Sequence, residues 1–84
     1  MPTISTFYGI IIKMFFISKE HNPPHIHAIY GEYMGEFIIE TGEMVIGDLP
    51  PKAQKLVKEW IMINKADLIE IWDTQQFKTL PPLL

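Results

Sequence analysis

The sequence predicts an α+β domain: a three- or four-stranded antiparallel meander, followed by two C-terminal helices packed on one face. Three observations carry this expectation. β-Branched and aromatic residues crowd the first half of the chain, in runs broken by glycine and proline. After Asp48 the apolar spacing changes to the period of a helix face. Strands are therefore segregated from helices along the chain, which is the α+β pattern. Eighty-four residues make one domain, 1–84, with a thin core.

The first strand is expected within Phe7–Ile17, whose alternating faces are both largely apolar. Such a strand is covered on both sides or meets a partner. The run is eleven residues long and contains Lys13, too short for the roughly 20 apolar residues of a membrane span. Ser18–Pro24 is the turn, since its prolines cannot donate to a ladder. The second strand is His25–Tyr30, with Ile26, Ala28 and Tyr30 on one face and His25, His27 and Ile29 on the other. Gly31-Glu32-Tyr33 reads as a hairpin loop, Met34–Glu40 as strand three, and Met44-Val45-Ile46 as a short strand four.

Asp48-Leu49-Pro50-Pro51 signals a helix start, a cap residue followed by proline in the first turn. Ala53, Leu56, Val57, Trp60, Ile61 and Asn64 form one helical stripe, with Lys52, Lys55 and Lys58 outside it. Asn64-Lys65-Ala66-Asp67 resembles a capping box and suggests a second helix carrying Leu68, Ile69 and Trp72. Trp60 and Trp72 read as core residues. The tail Leu80-Pro81-Pro82-Leu83-Leu84 is apolar and docks either on the domain or in a partner's groove.

Composition narrows the functional classes. There are no cysteines, which excludes disulfides and thiolate metal sites and suits a reducing cytoplasm. No basic leader is visible at Met1–Ser5, so a cytoplasmic location without membrane attachment is expected. Net charge is −3, and all seven basic residues are lysines. Between Glu20 and Asp48 there are six acids and no lysine. That distribution disfavours an unaided nucleic-acid surface.

The segment His21-Asn22-Pro23-Pro24-His25-Ile26-His27 holds all three histidines. His-x-His spacing in a strand points His25 and His27 to the same side. Three readings compete. In one, His21, His25, His27 and Glu36 bind a divalent metal such as zinc, with Glu36 or Glu40 delivered by the neighbouring strand if the register allows. In another, His25 and His27 are general acid and base in RNA cleavage, with Lys13 stabilising the transition-state charge. In the third, the segment is structural, a turn that satisfies its own backbone.

Pro2-Thr3-Ile4-Ser5-x-Phe7-Tyr8-Gly9-Ile10, the His-Asn-Pro-Pro-His-x-His segment, Leu49-Pro50, Glu59-Trp60 and Trp72 together resemble the DUF4160 family of small bacterial proteins. The resemblance implies a small cytoplasmic protein. It also implies a gene neighbour of the DUF2442 type in what looks like a toxin–antitoxin pair. Relatives commonly carry arginine near the position of Lys13 and more basic residues near the C-terminus; this chain does not. No catalytic residues are carried over, because the family's activity is not established.

The leading expectation is the toxin side of such a module, acting on RNA phosphodiesters through His21, His25 and His27, and held silent by a small antitoxin-like protein. The alternative is a non-enzymatic interaction module that forms a homodimer or binds a basic partner.

Overall fold

The computed structural model describes residues 3–14 and 23–84. Its elements are β1 (Thr3–Phe7), β2 (Ile10–Lys13), β3 (His25–Tyr30), β4 (Tyr33–Ile38), β5 (Met44–Gly47) and α1 (Pro51–Thr74). The strands form one five-stranded sheet in chain order, each antiparallel to the next. The α+β class holds, with five strands and one helix in place of three or four strands and two helices.

The extra strand comes from a hairpin hidden in the apolar N-terminal run. Phe7 pairs with Ile10 across the two-residue loop Tyr8-Gly9. Both loop residues have positive φ, 50° at Tyr8 and 78° at Gly9. Two positive φ values in a two-residue loop match the right-handed twist of the flanking strands. The expected first strand, Phe7–Ile17, therefore begins instead at Ile10, after this turn. Its end at Phe15–Ile17 lies outside the described residues, as does most of the Ser18–Pro24 turn. Further on, Tyr30 pairs with Tyr33, so the next loop is Gly31-Glu32 and β4 starts one residue earlier than expected.

The single helix also has a local cause. Asn64 has non-helical dihedrals, φ −107° and ψ 16°, and kinks α1 without ending it. Its buried amide donates from Nδ2 to the Trp60 carbonyl at 3.0 Å. That bond reaches back one turn and bends a helix; it does not cap a new one. Asp48 likewise is not the cap. The cap position is Pro50, with no side-chain bond, and Asp48 Oδ1 accepts the Met34 N–H at 3.3 Å.

Strand alternation places Phe7, Ile10, Ile12, Ile26, Ala28 and Phe37 on one face, all at most 5% exposed. The helix covers this face with Val57, Trp60, Ile61, Leu68 and Ile71, and the Phe7 and Trp60 rings lie 5.5 Å apart. Burying each such side chain stabilises the fold by about 1.5–3 kcal/mol before chain entropy is counted.

The tail docks on the domain. The Leu80 N–H donates to the Ile4 carbonyl at 2.7 Å, and Trp60 Nε1–H donates to the Pro81 carbonyl at 2.8 Å. Leu80 and Leu83 are buried. The tail thus covers the outer strand β1. At the opposite margin, Val45 and Ile46 of β5 are exposed.

Candidate metal centre

The second face of β3 carries the histidines. Register sets their surroundings: His27 lies opposite Lys13 on β2 and opposite Glu36 on β4, while His25 lies opposite Ile38. Directly opposed residues share a face, so Lys13, His27 and Glu36 form a row across three strands. The His25 and His27 rings stand 5.4 Å apart at 70°.

Both imidazoles turn Nε2 toward the Glu36 carboxylate. His25 Nε2 is 3.4 Å from Oε1, and His27 Nε2 is 3.6 Å from Oε2. These separations exceed the roughly 2.7–2.9 Å of a charge-assisted N–H···O bond. They are close to the spacing of about 3.4 Å between neighbouring ligands on a tetrahedral ion with 2.0–2.2 Å bonds. One ligand atom from each of His25, His27 and Glu36 lies within 4.8 Å of the other two.

Tautomers point the same way. His25 Nδ1 is 3.0 Å from the Pro23 carbonyl oxygen. A carbonyl only accepts, so Nδ1 carries the proton and donates it. With the Nδ1 proton so placed, the neutral ring would present a bare lone pair at Nε2 to a carboxylate. Two electron-rich groups face to face need an electrophile between them, either a proton or a metal. A ligating histidine usually donates its other N–H to a backbone carbonyl or carboxylate, which is the arrangement at Pro23.

Burial holds His27 below the usual histidine value of 6.5; Glu36 acts in the opposite direction, and His25 lowers it further. Desolvation dominates, so His27 is predominantly neutral at pH 7, the form a metal requires. The His27 and His25 side chains are 11% and 16% exposed, and Glu36 is 27% exposed. The carboxylate is the more open side of the site.

The indole of Trp72 closes another side, with its ring 5.1 Å from that of His25. Trp72 was expected in the core on its helical stripe, and it is 6% exposed. Its contact with His25 was not foreseeable from periodicity, since it depends on how far α1 runs beyond its kink.

The structure thus brings together His25, His27 and Glu36, with Lys13 on the same face of the adjacent strand. His21 lies outside the described residues. Glu40 is not part of the set; its Oε2 is 3.2 Å from Lys65 Nζ. No helix among the described residues is long and apolar enough to cross a membrane.

One family model matches residues 9–73, and its description is "Domain of unknown function (DUF4160)". No curated protein and no solved structure matches the chain.

Proposed function

The chain belongs to the DUF4160 family, and on that premise we propose that it is a metal-binding protein whose centre is His25, His27 and Glu36. The observation that carries this reading is the convergence of two imidazole nitrogens and one carboxylate at 3.4 and 3.6 Å, longer than charge-assisted hydrogen bonds prefer. Two histidines and a glutamate form a zinc ligand set, and three protein ligands leave one position for water. When bound, such an ion lowers the pKa of its water and polarises a phosphoryl or carbonyl oxygen.

The chain's own residues then divide the work. Pro23 holds the His25 tautomer through its carbonyl. His27 stays neutral because it is desolvated. Lys13, beside His27 in register, supplies positive charge for a phosphodiester. RNA hydrolysis on the toxin side of a two-protein module is the activity this reading favours, supported by the family resemblance and the Lys13–His27–Glu36 row. The metal-free alternative, with His25 and His27 as a separated acid–base pair, is less well supported because both nitrogens face one carboxylate.

The test begins with metal-free protein titrated with zinc in a calorimeter. One ion per chain is expected, and Glu36→Gln should abolish binding at the same concentrations. A wild-type protein that takes up no stoichiometric zinc, cobalt or manganese would sink the proposal. If zinc binds, Lys13→Met should keep the metal and lose RNA cleavage.

One observation favours the interaction-module reading. The margin at β5 exposes Val45, Ile46 and the neighbouring Met34, and β5 carries neither charge nor proline to protect its edge. Light scattering across a concentration series checks it. A dimer lost in Ile46→Lys would support it, and a monomer at all concentrations would not.

A further inference from the structure

The other end of β3 holds a cavity of about 590 Å³, lined by Tyr8, Ile10, Tyr30, Lys52, Ala53 and Leu56 among others. That volume lies within the range of small-molecule sites, about 300–1,000 Å³. Its walls come from three parts of the chain: the β1–β2 hairpin tip, the end of β3, and the first turns of α1. The surface is apolar and aromatic, with a single formal charge, the ammonium of Lys52.

Tyr8 is the unusual wall. It is the first residue of a two-residue hairpin loop, at φ 50°, where asparagine, aspartate or glycine is the ordinary occupant. A bulky side chain in the left-handed region is strained. Burial does not offset that strain, because Tyr8 is 59% exposed. Gly9 lets the second aromatic wall close in: a Cβ there would lie 3.3 Å from the Tyr30 ring. The fold therefore holds one strained, exposed tyrosine near a second, at the rim of a cavity.

Charge fixes the second half of the ligand. Lys52 makes no ion pair among the described residues. The first turn of α1 contains no acidic residue and has no side-chain cap. Both leave positive potential at the cavity's helical wall.

The geometry points to a binding site for a small aromatic or heteroaromatic anion, with its ring against Tyr8 and Tyr30 and its anionic head at Lys52. This site is independent of the metal centre and does not rest on that reading. The anionic head is either a phosphate or a carboxylate, and the same ring-plus-anion chemistry serves both.

Adenosine monophosphate and indole-3-acetate probe the two heads, with adenosine, indole and inorganic phosphate as the matching half-ligands. Amide chemical shifts of the full chain are followed during each titration. At least one of the two anions should bind at the Tyr8–Lys52 cavity, at least tenfold more tightly than its own half-ligands. A preference for the nucleotide identifies phosphate, and a preference for the indole acid identifies carboxylate; either supports the site. Lys52→Met should weaken binding at least tenfold. Tyr8→Asn should do the same while leaving the melting temperature unchanged or raised, since asparagine tolerates the left-handed turn. The proposal is overturned if neither anion binds at millimolar concentration, if the half-ligands bind equally well, or if both variants keep wild-type affinity.

Discussion

The two ends of β3 differ in the chemical groups that each brings together. At its start, His25 and His27 turn Nε2 toward the Glu36 carboxylate, and the His25 ring lies against Trp72 from the far part of α1. At its end, about 17 Å away by strand rise, Tyr30 lines a cavity with Tyr8 and Lys52 beside the first turn of α1. One end gathers two imidazoles and a carboxylate beside Lys13. The other gathers aromatic walls and a single ammonium. β3 and α1 contribute to both, but from opposite faces of the strand: His25 and His27 lie on one, Tyr30 with Ile26 and Ala28 on the other. A fold this small can carry two chemically opposite sites because a strand and a long helix each present two separate ends.

The largest contrast should be in stability. Trp72 is 6% exposed while Tyr30 is 39% exposed. Trp72→Ala should cost about 3–5 kcal/mol, and Tyr30→Ala should cost well under half of that. Urea unfolding of both variants measures the difference. Equal losses would mean that the Tyr30 end is as tightly packed as the histidine end, and the contrast would fail.

Ligand selectivity should separate the ends next. His27→Ala should weaken zinc binding at least about 100-fold, or about 2.7 kcal/mol, and leave unchanged the binding of whichever aromatic anion, adenosine monophosphate or indole-3-acetate, the cavity takes. Lys52→Met should do the reverse. If either substitution weakens both ligands alike, the ends are coupled through β3 or α1 and are not independent sites.

Acid should act on the histidine end alone. The folded state holds the His27 pKa below 6.5, so in metal-free protein the unfolded chain binds more protons over the window beneath 6.5. Stability from this group therefore rises with pH through that window. It is fully present above 6.5 and is lost as pH falls through the depressed folded value. His27→Asn should flatten that slope, and Lys52→Met should not. A wild-type profile that is flat between pH 5 and 7 would remove desolvation of His27 from the account.

The histidine end was more legible in the sequence than the tyrosine end, for physical reasons. His-x-His spacing fixes a shared face whenever a strand forms. Glu36 was reachable once a two-residue loop was placed after Tyr30, because antiparallel pairing then puts it opposite His27. Trp72 was not, since Asn64 reads as a stop by its residue type and bends the helix by its bond to Trp60. The tyrosine end was hidden for the opposite reason. Tyr8-Gly9 lies inside an apolar run whose composition reads as uninterrupted strand, and tyrosine is not a usual turn residue. The glycine was the available signal.

Each end also holds one non-glycine residue at positive φ: Tyr8 at 50° and Gln75, just after α1, at 58°. Gln75 has a structural reason to be there. Its N–H donates to the Ile71 carbonyl at 2.8 Å and its Nε2 to the Trp72 carbonyl at 2.9 Å, so two helix-terminal acceptors are satisfied. Tyr8 is an exposed side chain in a turn, with an edge-on ring contact to Phe7 at 6.4 Å. Asparagine accepts the left-handed region more readily than either residue. Gln75→Asn should therefore gain backbone relief but lose the bond to Trp72, and change stability by less than about 0.5 kcal/mol. Tyr8→Asn should gain the relief with little to lose, and stabilise the fold by about 1 kcal/mol. Thermal unfolding of the two variants side by side resolves this smallest effect. A stabilised Tyr8→Asn beside a neutral Gln75→Asn would show that the hairpin strain serves something other than folding. A destabilised Tyr8→Asn would make Tyr8 a packing residue and leave its cavity without a reason for an aromatic wall.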